Sequence, residues 1–177
     1  MSAPSQQTTP PINDGLVLET ALGWLRPVCS ANGLISLAWQ ERPFARIDEP
    51  VQNPDVSRET ISQLADYLAG RRQSFDLPLD FSQLSPARRQ WLACLAKIPY
   101  GKLVSYQQLA ASWGNPKAAR AAGQACRLNP LPIIIPCHRV VSATNGLVQY
   151  SGGSDRGPRD PANLNRKIWL QQLEAGK

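Results

Sequence analysis

Histidine is almost absent from this chain of 177 residues, where His138 is the only one. The four cysteines lack the close pairing that metal sites use, and they stand far apart at Cys29, Cys94, Cys126 and Cys137. No run of sequence approaches the ~20 apolar residues that a membrane span requires. A His/Cys metal centre and a membrane-spanning protein are therefore both disfavoured, and we expect no metal, no cofactor and no membrane partner.

The N-terminal segment lacks the basic and apolar regions of a secretion signal. It reads MSAPSQQTTPP, which is polar and rich in proline. We therefore predict a disordered tail over residues 1–14 and a cytoplasmic protein with reduced thiols.

Acidic residues are scarce in the second half of the chain. Residues 83–177 contain 13 Lys and Arg but only 3 Asp and Glu, whereas residues 1–82 contain 6 and 10. This asymmetry indicates that the second half meets a polyanion, with nucleic acid as the first candidate. The alternative is an ordinary solvated basic surface.

The first half has the pattern of an antiparallel sheet followed by one helix. Apolar segments predict strands over 16–20, 23–29 and 34–39, with Asn32-Gly33 as a hairpin turn. A helix is predicted from Ser57 to Gly70, and residues 75–81 resemble an edge strand or an extended linker. We interpret residues 15–82 as a support domain without a catalytic set.

The second half has the pattern of a helix-turn-helix. Ser85-Pro86 predicts the start of a helix over 86–97, and Ser105 is the predicted N-cap of another. Gly114-Asn115 ends that helix, and a third helix is predicted from Pro116 to about Leu128. Its polar stripe favours a nucleic-acid contact over a merely solvated face, and consists of Lys117, Arg120, Gln124 and Arg127.

The rest of the second half predicts a wing and a last helix. A turn over 142–146, a short strand over 148–150 and a helix capped by Asn163 or Asn165 follow in order. Residues 83–177 would then form a winged helix-turn-helix domain, and the whole chain an α/β (α+β) protein.

The segment 129–141, NPLPIIIPCHRVV, combines a buried element with reactive groups. Ile133–Ile135 predict a buried strand that ends at Pro136, where a turn brings Cys137 and His138 to one side. A thiol of pKa ~8.5 needs a base to become a nucleophile, and the imidazole could act through water.

A carboxylate is expected to orient the imidazole. The candidates in this half are Asp155, Asp160 and Glu174, and we choose Glu174 because a helix can hold it rigidly. The alternative for Cys137 is an inert buried thiol.

These segments resemble the O6-alkylguanine-DNA alkyltransferases, also called methylated-DNA–protein-cysteine methyltransferases. IPCHRV at 135–140 is similar to their active-site motif, and the flanking blocks occur in the same order: NPLPIII, VSYQQLA, NPKAARAAG and YSGG. The resemblance covers roughly 85–175 and implies a ribonuclease-H-like N-terminal domain before the winged helix-turn-helix domain. The loop over 154–165 is longer than in the family, and Cys29 alone cannot form the zinc site that some members carry.

The resemblance also implies roles for individual residues. Cys137 would accept the alkyl group, with His138 as its base through water and Glu174 orienting His138. Asn129 would brace the active-site turn, and Tyr106 would help to extrude the base and donate a hydrogen bond to guanine.

Other residues are expected to bind DNA or the damaged base. Arg120 would fill the space left by the flipped nucleotide, and Tyr150 would form a wall of the base pocket. Val140 and Ser151 would contact the base through their backbones. The remaining expected contacts are Lys117, Gln124, Arg127 and Arg139.

The implied partner is double-stranded DNA that carries alkylated bases, bound through the minor groove by a monomer, with cooperative binding left open. The expected reaction is irreversible transfer of the alkyl group from O6-alkylguanine, and from O4-alkylthymine, to Cys137, once per molecule. A non-catalytic lesion-binding module and a transcriptional regulator are the alternatives. The presence of Cys137 favours the enzyme.

Overall fold

The computed structural model describes residues 12–13, 16–44, 51–144, 149–154 and 156–176. Most of the predicted disordered tail, residues 1–11 and 14, lies outside this part of the chain. The two remaining residues of the tail form a short strand, β1 (Ile12–Asn13), which pairs with the next strand.

A small antiparallel sheet and one helix form the first half. The strands β2 (Val17–Thr20), β3 (Gly23–Ser30) and β4 (Gly33–Gln40) follow β1 in sheet order. The three predicted strands and the hairpin turn between Ser30 and Gly33 are therefore confirmed. Helix α1 (Pro54–Leu68) packs against this sheet.

The first helix begins three residues before the predicted start at Ser57. The Asn53 side chain accepts a hydrogen bond from the amide of Val56 at 3.4 Å, and Pro54 occupies the first helical position. Ser57 is buried instead, and its hydroxyl lies 3.3 Å from Cys29 Sγ.

The segment after α1 is extended but forms only an isolated bridge. Leu79 bridges to Leu34 of β4, and the Leu34 amide donates to the Pro78 carbonyl at 2.8 Å. The chain thus runs along the sheet before it enters the second half, in agreement with the predicted linker.

Four α-helices, one turn of 3₁₀ helix and a two-stranded parallel sheet are the regular elements in the described part of the second half. Ser85 caps the first helix, and Ser105 with Gln108 forms a capping box at the second, so both predicted helix starts are confirmed. The elements are α2 (Pro86–Ala96), β5 (Val104–Ser105), α3 (Tyr106–Ser112), α4 (Ala119–Arg127), β6 (Val140–Val141) and α5 (Pro161–Glu174).

Helix α4 begins three residues later than predicted. Asn115 is followed by a turn. Its side chain accepts a hydrogen bond from the Lys117 amide at 3.1 Å, and its backbone carbonyl accepts one from the Ala118 amide at 2.9 Å. An Asn side chain bonded to the backbone two residues on favours a turn over a helix. Lys117 therefore lies before the helix and not on its stripe.

Helix α5 is capped by Asp160, not by Asn163 or Asn165. The Asp160 carboxylate accepts from the Ala162 amide at 2.9 Å, and Pro161 opens the helix. Asn163 is buried inside the first turn, where its amide donates to the Gly157 carbonyl at 3.1 Å.

The run Ile133–Ile135 is not a strand. Residues 131–135 form turns, and Ile133 has φ 72°, a left-handed conformation that is rare for a β-branched residue. Its side chain is nevertheless buried. The predicted strand over 148–150 is also wrong as far as it is described, because Gln149 and Tyr150 pair with no strand and Val148 lies outside the described residues.

Among the residues that the structure describes, no helix is long and apolar enough to cross a membrane.

The hairpin glycine gives a test of the sheet. A Cβ on Gly33, whose φ is 152°, would lie 2.4 Å from the Pro78 carbonyl oxygen. We expect Gly33→Ala to lower the free energy of unfolding by about 1–3 kcal/mol, because both the strained backbone and the clash act against the folded state. Denaturant unfolding measures this change. Gly157→Ala is the control, since a Cβ there has no neighbour within 4 Å, and equal effects of the two substitutions would contradict the packing described.

Candidate active site

Cys137 lies at the start of a single turn of 3₁₀ helix, Cys137–Arg139, directly after Pro136. Its amide donates to the Ile135 carbonyl at 2.8 Å, and the Arg139 amide donates to the Pro136 carbonyl at 3.0 Å. The predicted turn after Pro136 is therefore present, although no strand leads into it. The thiol-bearing residue is only 3% exposed.

Asn129 holds this turn in place from the end of α4. Its side-chain amide donates to the Ile135 carbonyl at 2.8 Å and to Cys137 Sγ at 3.1 Å. Its side-chain oxygen accepts from the Leu131 amide at 3.0 Å. Together with the Ile135 amide, which donates to the Leu131 carbonyl at 2.8 Å, these bonds hold the isoleucine run as a buried turn.

Cys137 borders a small cavity between α3, α4 and the segment after residue 149. Three of the expected substrate-binding residues, Tyr106, Tyr150 and Ser151, line it together with Arg127. The complete lining is Tyr106, Gly123, Cys126, Arg127, Cys137, Gln149, Tyr150, Ser151 and Pro158.

His138 points away from the bulk solvent and towards α5. Its Nε2 lies 2.7 Å from Glu174 Oε1, and its side chain is fully buried. Its other ring nitrogen, Nδ1, has no hydrogen-bond partner among the described residues. The contact expected between Glu174 and His138 is therefore present in the structure.

The Glu174 carboxylate receives further donors from Arg139, Gly101 and Tyr67. Arg139 Nε donates to Oε2 at 2.9 Å and Nη2 donates to Oε1 at 2.9 Å, and the Gly101 amide donates to Oε2 at 2.9 Å. A buried carboxylate needs this degree of compensation to remain charged. Tyr67 of α1 adds another donor to Oε1.

These surroundings set the charge states of the site. Burial raises the pKa of the Cys137 thiol, although the Asn129 hydrogen bond and the Lys167 ammonium oppose the rise. Burial lowers the pKa of His138 despite the neighbouring carboxylate. Burial also pushes the Glu174 pKa upward, but the hydrogen bonds from His138 and Arg139 outweigh it and leave that pKa below its ordinary value. The resting site therefore holds a neutral thiol, a neutral imidazole and a charged carboxylate at neutral pH.

Lys167 is a buried cation that the sequence did not single out. Its Nζ donates to the Val140 carbonyl at 2.7 Å and to the Gln149 carbonyl at 3.2 Å. Burial lowers its pKa, and the thiols of Cys137 and Cys126 act in the opposite direction. It thus joins the backbone of β6 to the backbone of Gln149, which lines the cavity.

The residues expected to contact DNA lie mainly on the exposed surface of α4. Arg120, Gln124 and Arg127 are exposed on this helix, and Arg127 Nε donates to the Gln124 side chain at 3.0 Å. Lys117 is exposed in the preceding turn.

Two expected contacts are placed differently. Arg139 is 6% exposed, and its guanidinium is occupied by Glu174 and by the Ile98 carbonyl at 2.5 Å, so it belongs to the interior and not to a DNA surface. Val140 does not line the cavity, and its carbonyl already accepts from Lys167.

Sequence reasoning missed Tyr67 as a neighbour of the site. The residue lies on the buried face of α1, three positions after Leu64. A tyrosine on the buried stripe of a helix needs a hydrogen-bond partner for its hydroxyl. The position of Tyr67 in this stripe therefore indicated a buried polar contact.

The fold and site define a protein in which the buried thiol of Cys137 borders a cavity. The next residue, His138, forms a buried pair with the carboxylate of Glu174. A family model described as "6-O-methylguanine DNA methyltransferase, DNA binding domain" matches residues 86–176. The chain is 38% identical over 139 residues to the constitutive methylated-DNA–protein-cysteine methyltransferase of Bacillus subtilis, covering 76% of this chain and 84% of that protein. It is 39% identical over 142 residues to the corresponding protein of Mycolicibacterium paratuberculosis, covering 74% and 86%.

Solved structures agree with these relatives. The chain is similar to the O6-methylguanine methyltransferase of Mycobacterium tuberculosis, with a TM-score of 0.73 and 32% identity over 90% of this chain and 91% of that one. The same TM-score and coverage, with 31% identity, apply to the Mycobacterium tuberculosis OGT in complex with DNA. The chain belongs to the 6-O-methylguanine DNA methyltransferase family.

Proposed function

We propose that this protein repairs alkylated DNA by transferring the alkyl group from O6-alkylguanine to its own Cys137. The observation that carries the proposal is the position of Cys137, which borders a cavity and directly precedes His138 of the buried His138–Glu174 pair. The curated relatives are named as methyltransferases with a protein cysteine as acceptor. This naming favours the enzyme over a regulator or a non-catalytic module.

The first step is loss of the Cys137 proton. A neutral imidazole whose Nδ1 has no partner among the described residues can take a proton from the thiol through one water, while Nε2–H remains bonded to Glu174. The carboxylate stabilises the imidazolium that forms. Because burial raises the pKa of the thiol, this assistance is needed at neutral pH.

The second step is attack of the thiolate sulfur on the alkyl carbon. A carbon–sulfur bond forms as the carbon–oxygen bond breaks, and its electron pair leaves on guanine O6. Burial raises the pKa of Tyr106 to about 12, so its hydroxyl stays protonated and can donate to that oxygen. The thioether has no route back to the thiol, and each molecule acts once.

We propose that helix α4 contacts the DNA. The exposed Arg120, Gln124 and Arg127 form a basic and polar surface next to the cavity, and small residues such as Gly123 allow close approach. We infer contact through the minor groove, which is read with little sequence preference and suits a protein that must meet lesions in any sequence.

The reactive carbon lies inside the duplex, so the nucleotide has to be flipped out at a cost of a few kcal/mol. Arg120 is the residue that would fill the space it leaves. O4-alkylthymine offers the same kind of alkyl carbon and is a second substrate. The protein would act as a monomer, with cooperative binding along DNA as an open prediction.

We also propose how the chain divides into domains. Residues 83–177 are assigned to a winged helix-turn-helix domain, supported by α3, α4 and the turn between them. Residues 15–82 are assigned to a ribonuclease-H-like support domain, supported by the antiparallel sheet and α1. A cytoplasmic location also stays a prediction.

Incubation with duplex DNA containing O6-methylguanine should add one CH₂ to the peptide that carries Cys137. The reaction should stop at one methyl group per protein molecule, because the thioether does not regenerate. Mass spectrometry of the intact protein and of its peptides measures both results. Cys137→Ser should gain no methyl group, and Cys94→Ser, which removes a thiol that does not line the cavity, should react like the wild type. A folded wild-type protein that remains unmodified would contradict the proposed function.

Arg120→Ala should slow repair of duplex DNA by roughly tenfold or more, because an inserted side chain offsets part of the flipping cost. Reaction with free O6-benzylguanine should change little, since no nucleotide has to be flipped. Single-turnover rates on both substrates test this difference. Arg58→Ala is the control, an exposed arginine on α1. Equal losses on duplex and free base would argue against the flipping role of Arg120.

A further inference from the structure

Tyr67 brings the first half of the chain into the candidate active site. It lies on α1 and is fully buried. Its ring packs against Phe75 at a centroid distance of 5.2 Å and against the edge of Tyr100 at 6.0 Å. These two aromatic contacts restrict the position of its hydroxyl.

The hydroxyl donates to Glu174 Oε1 and lies 3.3 Å from His138 Nε2. The same carboxylate oxygen lies 2.7 Å from His138 Nε2 and accepts from Arg139 Nη2 at 2.9 Å. Three side chains thus share one oxygen. Each additional donor withdraws charge from the carboxylate and weakens its attraction for the others.

We propose that Tyr67 is a positioning residue for alkyl transfer, which fixes the Glu174 carboxylate and limits how strongly it holds a proton on His138. This inference rests on the proposed function, in which His138 is the base that deprotonates Cys137. A carboxylate that attracted the proton too strongly would keep the imidazole charged and unable to accept another. The hydroxyl of Tyr67, which lies on α1 in the first half of the chain, limits how strongly the carboxylate holds this proton.

Several elements place charged or titratable groups around the His138–Glu174 pair. Helix α5 carries Glu174 and Lys167, and helix α1 carries Tyr67. Tyr100 lies in the turn after α2, and Cys137 and Arg139 lie on the 3₁₀ turn. Burial, together with the neighbouring Glu174, raises the pKa of Tyr67, so this phenol stays neutral over the working range. Tyr67→Phe therefore removes one hydrogen bond without changing the charge of the site.

The single histidine of the chain makes the test direct, because the imidazole signals in an NMR spectrum of the whole protein come from His138 alone. Tyr67→Phe should raise the titration midpoint of His138 by on the order of one pH unit, as one competing hydrogen bond to the carboxylate is lost. The acidic arm of the pH profile for methyl transfer should move upward with it. A purely structural role would scale the rate at every pH without moving either midpoint.

Tyr100→Phe is the matched control, since it removes a hydroxyl from the neighbouring ring and keeps the ring over which the Arg139 guanidinium lies. It should leave both midpoints at the wild-type value. Replacing Tyr67 by 3-fluorotyrosine gives a second variant with the ring and hydroxyl retained. Its more acidic hydroxyl is a stronger donor, so the His138 midpoint should fall.

An unchanged or lower His138 midpoint in Tyr67→Phe, or an equal change in Tyr100→Phe, would overturn the inference. If the phenylalanine variant does not fold, a fluorotyrosine variant whose midpoint does not fall overturns it as well. The proposed function is tested separately, by methylation of the wild-type Cys137. A wild type that transfers the methyl group while Tyr67→Phe leaves the titration unmoved would reject the inference alone.

Discussion

The buried carboxylate of Glu174 is the constraint on which the rest of the site depends. A charged group that is almost completely withdrawn from water is stable only when its oxygens are compensated by donors. Here the donors come from Tyr67 on α1, from the Gly101 backbone after α2, and from His138 and Arg139 on the 3₁₀ turn. One side chain near the end of the last helix therefore connects both halves of the chain.

In the proposed reaction, this arrangement makes Cys137 both protected and reactive. Burial keeps the thiol neutral, and a neutral thiol is a poor nucleophile. Reactivity then depends on the imidazole that Glu174 orients, and on a substrate that enters the cavity beside the sulfur. The Asn129 side chain joins the end of α4, the helix proposed to contact DNA, to Cys137 by a hydrogen bond of 3.1 Å. In the proposed function, one side chain would therefore connect DNA contact with the chemistry.

The features that could be predicted from the sequence are those with local causes. The hairpin at Asn32-Gly33 and the helix starts at Ser85 and Ser105 depend on residues within three positions, and all are present. The pairing of Glu174 with His138 was expected on chemical grounds, because a helix is the most rigid place for a carboxylate in this half of the chain.

The features that could not be predicted depend on distant contacts. Ile133–Ile135 have the composition of a strand, but the Asn129 side chain bonds to the Ile135 carbonyl and to the Leu131 amide and makes a turn stable. Arg139 was expected among the DNA contacts, yet a carboxylate 35 residues away allows its burial. The bond from Tyr67 to Glu174 spans 107 residues, a separation over which sequence periodicity carries no information.

Glu174→Gln tests the central claim most directly, because glutamine keeps the shape of the side chain and removes its charge. The measurement is the single-turnover rate of methyl transfer to Cys137 as a function of pH, at a temperature where the variant is folded, alongside its affinity for undamaged duplex. The account predicts a rate roughly a hundredfold lower or more, with an altered pH dependence and an unchanged affinity for DNA. Transfer at the wild-type rate with the wild-type pH profile would contradict it.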